Sequence, residues 1–123
     1  MPRQEAEMFC LQARIALESV RGGRAAGPET TVLAHTVLLT SFLTEAGHGL
    51  LELSFVRQVE EAVLAILDVG NKTGEWTFSE ATIDSLTAIV NEYDRQLREV
   101  RFAHVLAATQ RLEQMIASVR PQN

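Results

Sequence analysis

Three histidines and one cysteine are the side chains of this sequence best suited to chemistry: His35, His48, His104 and Cys10. Imidazole serves as a general acid, a general base or a metal ligand near neutral pH, and a thiolate can act as a nucleophile. Cys10 falls on the apolar stripe of the first helical segment, which favours packing over reactivity. A single cysteine cannot form an internal disulfide, and it favours a reducing compartment. Any catalytic chemistry is therefore expected to depend on the histidines.

Glu45 and His48 have the Glu-x-x-His spacing that supplies ligands to metal sites inside helical bundles. Such a site needs a second motif of the same kind and further inward glutamates from other helices. The sequence offers one motif only, and Gly47 and Gly49 place it in a turn between helices. We therefore expect no metal site and no cofactor in this protein.

The residues around His35 resemble a known phosphate-accepting motif. The run Leu33-Ala34-His35-Thr36, in an acidic helical chain of this length, resembles the histidine phosphotransfer family. The resemblance implies that an exposed His35 accepts a phosphoryl group from a receiver aspartate. On a helical wheel, Leu38, Leu39 and Phe42 lie within about 60° of His35. This position favours a core histidine that is hydrogen-bonded to a neighbouring helix, and phosphotransfer through His35 is the alternative.

Arg98 and His104 form a second candidate motif. Their spacing resembles the arginine–histidine pair of the HEPN ribonuclease family, whose members are also helical bundles. The resemblance implies RNA cleavage with Arg98 and His104 in the active site. In one straight helix the two side chains would lie about 120° apart around the axis, and a kink near Arg101 would bring them closer. A HEPN-like ribonuclease is therefore another alternative function.

Glycines and prolines divide the chain into segments whose apolar residues recur at helical spacing. The sequence predicts helices over about residues 3–21, 28–46, 50–69 and 78–119, the last beginning with a capping box in which Thr77 is the cap. We expect one all-α domain, residues 1–123, folded as an antiparallel up-down four-helix bundle. Its predicted core consists of Phe9, Leu17, Leu38, Phe42, Val59, Val63, Ile66, Leu86, Ile89, Tyr93 and Leu97.

The last segment carries an apolar stripe that changes face near Arg101. Either the helix is kinked there, which gives five helices, or one long helix overhangs the bundle and exposes the second half of its stripe. An exposed stripe would be covered by a second copy of the chain or by another protein. We take as the candidate interaction surface the apolar residues after the shift, namely Phe102, Val105, Leu112, Ile116 and Val119.

Composition narrows the possible functions. Sixteen acidic against eleven basic residues give a net charge of −5, which argues against a nucleic-acid partner, because such binding depends on Lys and Arg at the phosphates. The sequence offers no signal peptide and no membrane-spanning run, so we expect a cytoplasmic protein. Ten arginines against the single Lys72 indicate GC-rich coding and a bacterial source. The leading hypothesis is a non-enzymatic, homo-oligomeric accessory or regulatory factor that acts through protein–protein contacts.

Overall fold

The computed structural model describes residues 1–119, and the last four residues of the predicted domain lie outside this range. The described chain has five α-helices and no strand, which confirms the all-α prediction. The helices are α1 (Arg3–Arg21), α2 (Gly27–Leu43), α3 (Leu53–Thr73), α4 (Glu80–Glu99) and α5 (Phe102–Val119), and a π-helical turn, Thr44–His48, continues α2.

The predicted segment 78–119 is divided into two helices. Val100 has an extended backbone, with φ −78° and ψ 140°, and ends α4 one residue before Arg101. Of the two possibilities that the shifted stripe left open, the structure therefore has the break. After it, α5 packs against α2.

The central position of α2 explains its unusual sequence. This helix contacts each of the other four, and apart from His35 every residue from 33 to 43 is buried. The buried residues of α2 include Thr30, Thr36 and Thr40. Each of their hydroxyls donates a hydrogen bond of 2.8 or 2.9 Å to the carbonyl four residues earlier. Because their hydroxyls have partners within the helix, these threonines can be surrounded by apolar neighbours at little cost.

The end of α3 differs from the sequence-based expectation. The helix was predicted to stop at Val69, before Gly70, but it continues to Thr73. Gly74 ends it with the left-handed backbone (φ 76°) that glycine adopts without steric cost. Gly70 is a buried helical residue against which the indole ring of Trp76 lies. The absence of a side chain at this position therefore makes room for the ring.

The start of α4 also lies slightly later than predicted. Ser79 is the N-cap, and its hydroxyl accepts a hydrogen bond of 3.1 Å from the backbone N–H of Thr82, so the assignment of Thr77 as the cap was wrong. The helix that begins here, α4, packs against α1, α2 and α3. Within residues 1–119, no helix combines the length and the apolar character that crossing a membrane requires.

The core is formed largely by the residues expected from the sequence. All predicted core residues are buried except Phe9, which is 37% exposed, and Ile66, which is half-buried. The break between α4 and α5 adds a contribution from the C-terminal helix, because Val105, Ala108 and Leu112 are buried. The last helix therefore completes the core and does not project from it.

Candidate functional site

The predicted interaction stripe on α5 is divided between core and surface. Val105 and Leu112 are only 1% and 8% exposed, and Ile116 is half-buried against the core. Phe102 and Val119, at the two ends of the helix, are 46% and 74% exposed. The five residues therefore do not form one open surface, since the middle of the stripe is covered by the chain itself.

A different apolar surface is open on α1. Met8, Leu11 and Ile15 are 49%, 59% and 57% exposed, and they follow one another at the spacing of one helix face. On the helical wheel they lie opposite the buried stripe of the same helix, which consists of Ala6, Cys10, Ala13, Ala16, Leu17 and Val20. We call Met8, Leu11 and Ile15 the outer face of α1. The spacing of these outer residues is readable from the sequence, but the inner stripe alone already accounts for an amphipathic helix.

Two of the three histidines lie close together, where the turn after α2 meets the start of α5. His48 closes the π-helical turn after α2, and His104 lies in the first turn of α5. Their ring centroids are 4.5 Å apart, with the ring planes tilted by 40°. The sequence assigned them to separate motifs, one with Glu45 and the other with Arg98. The structure instead pairs the two histidines with each other.

A buried ion pair fixes the turn that carries His48. Arg95 donates from Nη2 to the backbone oxygen of His48 at 2.7 Å and from Nε to Glu92 Oε1 at 2.6 Å. Glu92 Oε2 accepts the backbone N–H of Leu50 at 2.6 Å. Burial acts to raise the pKa of Glu92, but the bonds from Arg95 and Leu50 outweigh it and hold that pKa below its usual value. The turn is thereby attached to α4 on both sides of Gly49.

The histidine pair borders an open cleft of about 470 Å³. Besides the two histidines, it is lined by Gly47, Gly49, Leu50, Arg95, Glu99, Val100 and Arg101. Two more arginines approach the same turn, since Arg57 and Arg111 both reach Glu45, at 3.6 and 3.2 Å. At this turn Glu45 is thus paired with Arg57 and Arg111, and Glu92 and Glu99 are paired with Arg95.

The arginine of the HEPN-like motif lies in other surroundings. Arg98 is hydrogen-bonded to Asp94, which also accepts a bond of 3.0 Å from Arg14 of α1. Burial acts to raise the pKa of Asp94, and the bonds from Arg98 and Arg14 lower it below its usual value. Arg98 is not among the residues that line the cleft beside His104. The break near Arg101 therefore does not direct the Arg98 side chain into the cleft.

Cys10 and His35 occupy two other environments. Cys10 is buried, and burial together with Asp94 raises the pKa of its thiol to about 11. His35 is half-buried at a second cleft, of about 220 Å³, where Phe9, Tyr93 and Leu112 are among the lining residues. Burial lowers the pKa of His35, and its ring forms no hydrogen bond with another residue in the range 1–119. The predicted bond from His35 to a neighbouring helix is therefore not found.

Neither a metal-binding group nor a similar protein indicates a function for this chain. No group of three or more His, Cys, Asp or Glu side chains within residues 1–119 is arranged to hold a metal ion. No protein-family model, no curated protein and no solved structure matches the chain. The candidate functional surfaces are therefore the outer face of α1 and the two clefts.

Proposed function

We propose that this protein is a non-enzymatic helical module that works through protein–protein contacts and pairs with a second copy of itself. We further propose that α1–α4 form the antiparallel up-down bundle expected from the short connections, with α5 packed on α2. Contacts between α1 and α2, α2 and α3, α3 and α4, and α4 and α1 support this arrangement, since an up-down bundle has these neighbours. The additional packing of α2 against α4 and α5 makes α2 the central helix of the bundle.

The observation that carries the proposal is the outer face of α1. Three large apolar side chains, each about half exposed, follow one another on a helix whose opposite side is already in the core. Single exposed apolar residues are ordinary, but a contiguous stripe is typical of an interaction site. The spacing of Met8, Leu11 and Ile15 is that of the seam of a helix pair. Another helix laid along this stripe would remove all three side chains from water.

The charges beside the stripe favour a second copy as the partner. Glu7 and Arg14 flank the outer face on the same side. In an antiparallel pair centred between Met8 and Leu11, Glu7 of each copy lies opposite Arg14 of the other. Glu7 accepts a bond of 3.1 Å from Arg3 at Oε1, and Arg14 uses only Nη2 for its bonds to Asn91 and Asp94, so Glu7 Oε2 and Arg14 Nε and Nη1 are available to each other. The surface is thus self-complementary, as a two-fold interface requires.

The test is the solution mass by size exclusion with light scattering over a range of concentrations, for the wild type and the double variant Leu11→Asp/Ile15→Asp. We expect a wild-type dimer that dissociates on dilution and a double variant that is monomeric and equally helical by circular dichroism. Val69→Asp, at a residue of α3 that is 49% exposed, is the matched control and should still dimerise. A wild type that is monomeric at every concentration, or a double variant that assembles normally, contradicts the proposal.

Substitutions in the α5 stripe would give an ambiguous result. Aspartate at Leu112 would place a charge in the core, where the wild-type side chain is 8% exposed, and would destabilise the fold whether or not α5 binds a partner. Phe102 and Val119 are the exposed parts of that stripe and lie at opposite ends of α5. Substitutions on α1 separate assembly from folding more cleanly.

A further inference from the structure

The cleft beside the histidine pair has the side chains of an anion site. His48 and His104 present two imidazoles, and Arg101 is among the residues that line the same cleft. Arg101 is exposed and forms no ion pair with another residue in the described range. Arg95 is different, because its Nε, Nη1 and Nη2 are all engaged, with Glu92, Glu99 and the His48 carbonyl. Arg101 is therefore the arginine of the cleft that is available to a ligand.

We propose that this cleft binds the phosphate group of a small phosphorylated molecule, held by His48, His104 and Arg101. A phosphate monoester carries between one and two negative charges and has three acceptor oxygens, which match two imidazole donors and one forked guanidinium. The first turn of α5 lies beside these groups, and the positive end of its dipole favours the same charge. Glu99, the one acidic residue in the lining, is paired with Arg95 at 3.0 Å, so the charge of Arg101 is left for the ligand.

The backbone of the turn leaves the cleft open to a ligand. Gly47 has φ 94°, a conformation that side chains other than glycine rarely adopt. A Cβ built at Gly49 would lie 2.6 Å from the side chain of Thr44, so this position also requires glycine. Two glycines on either side of His48 therefore shape the turn and keep its surface free of other side chains. The turn is nevertheless fixed in place, because Arg95 and Glu92 bind it at His48 and Leu50.

The cleft has room for more than an inorganic ion. Its volume of about 470 Å³ falls within the range of small-molecule sites, roughly 300–1,000 Å³. Leu50 and Val100 add apolar surface to the lining, against which the organic part of the ligand can pack. The proposed ligand class is thus a phosphate monoester of metabolite size.

The experiment follows the imidazole C–H signals of the three histidines by NMR while inorganic phosphate is added at constant ionic strength. We expect saturable shifts at His48 and His104, whereas His35, in its separate cleft, serves as an internal reference and stays unchanged. Ribose 5-phosphate should shift the same two signals, and ribose should not. Arg101→Gln should lower the affinity for inorganic phosphate and for ribose 5-phosphate by about tenfold, since a hydrogen bond to a charged group is lost.

Arg24→Gln is the matched control, because Arg24 is also exposed but lies in the linker between α1 and α2. It should bind phosphate like the wild type. Arg101 is exposed, so its replacement is compatible with folding, which circular dichroism verifies. Non-saturable shifts, equal shifts at all three histidines, equal shifts with ribose, or unchanged affinity in Arg101→Gln would each overturn the proposal.

Discussion

Replacing Glu92 by glutamine removes the charge that fixes the His48 turn to α4. The Glu92 carboxylate accepts hydrogen bonds from Arg95 Nε at 2.6 Å, from Arg95 Nη2 at 3.1 Å and from the Leu50 N–H at 2.6 Å. Its side chain is 4% exposed and that of Arg95 is 24% exposed, so water compensates little for the loss. Removing the charge of a buried carboxylate that is hydrogen-bonded to a partly exposed arginine costs about 2–3 kcal/mol of unfolding free energy. We expect a loss of that size from Glu92→Gln.

The chain supplies a matched control on the same arginine. Glu99 accepts a hydrogen bond of 3.0 Å from Arg95, but its side chain is 64% exposed, and exposed pairs contribute about 1 kcal/mol or less. Urea unfolding followed by circular dichroism should therefore give a much larger loss for Glu92→Gln than for Glu99→Gln. Equal losses in the two variants would refute the argument that burial makes the Glu92–Arg95 pair important.

The same pair predicts a dependence on pH. The bonds to Glu92 keep its pKa in the folded protein below its usual value, although burial alone would raise it. A carboxyl whose pKa is lowered by folding stabilises the protein above the unfolded-state pKa, about 4.3, and this stabilisation is lost as the pH falls toward the folded-state value. The stability difference between the wild type and Glu92→Gln should therefore be constant near neutral pH and shrink below about pH 4.3. A difference that stays constant into strong acid would contradict this assignment.

Two further predictions concern buried groups. Gly70→Ala should lower the unfolding free energy by about 1–3 kcal/mol and alter the fluorescence of Trp76, because the new Cβ would lie 2.2 Å from the indole ring. Gly27→Ala is the control: its Cβ would lie 3.4 Å from the same ring, so this variant should resemble the wild type in both measurements. Burial raises the pKa of Cys10 to about 11, so iodoacetamide at pH 8 should alkylate it slowly in the folded protein and quickly in urea, and equal rates would contradict its burial.

The helices follow from local sequence, and the errors arise where tertiary contacts decide. Apolar periodicity was sufficient for an all-helical prediction, and the change of face near Arg101 pointed to the position of the break. Gly70 predicts a helix stop because glycine usually ends helices, but the Trp76 ring requires a position without a side chain inside α3. Thr77 and Ser79 both suit an N-cap, and the first turn of α4 selects Ser79.

The candidate sites were less accessible to sequence reasoning, for two reasons. The outer face of α1 was readable from the spacing of Met8, Leu11 and Ile15, but the inner stripe of the same helix already accounted for its amphipathic pattern. The histidine pair was not readable, because His48 and His104 are far apart in sequence and meet only through the direction that α5 takes after Val100. No local pattern specifies that direction.

The break at Val100 therefore has two consequences that arise together. It turns α5 back onto α2, which buries Val105 and Leu112 and completes the core. The same change of direction places the first turn of α5, with His104, beside His48. Val100 itself is buried and also lines the cleft, so core and cleft share a residue at the break. A single uninterrupted helix over this segment could neither bury Val105 and Leu112 against α2 nor place His104 beside His48. The backbone geometry at Val100 therefore determines both the stability of the fold and the proposed phosphate site.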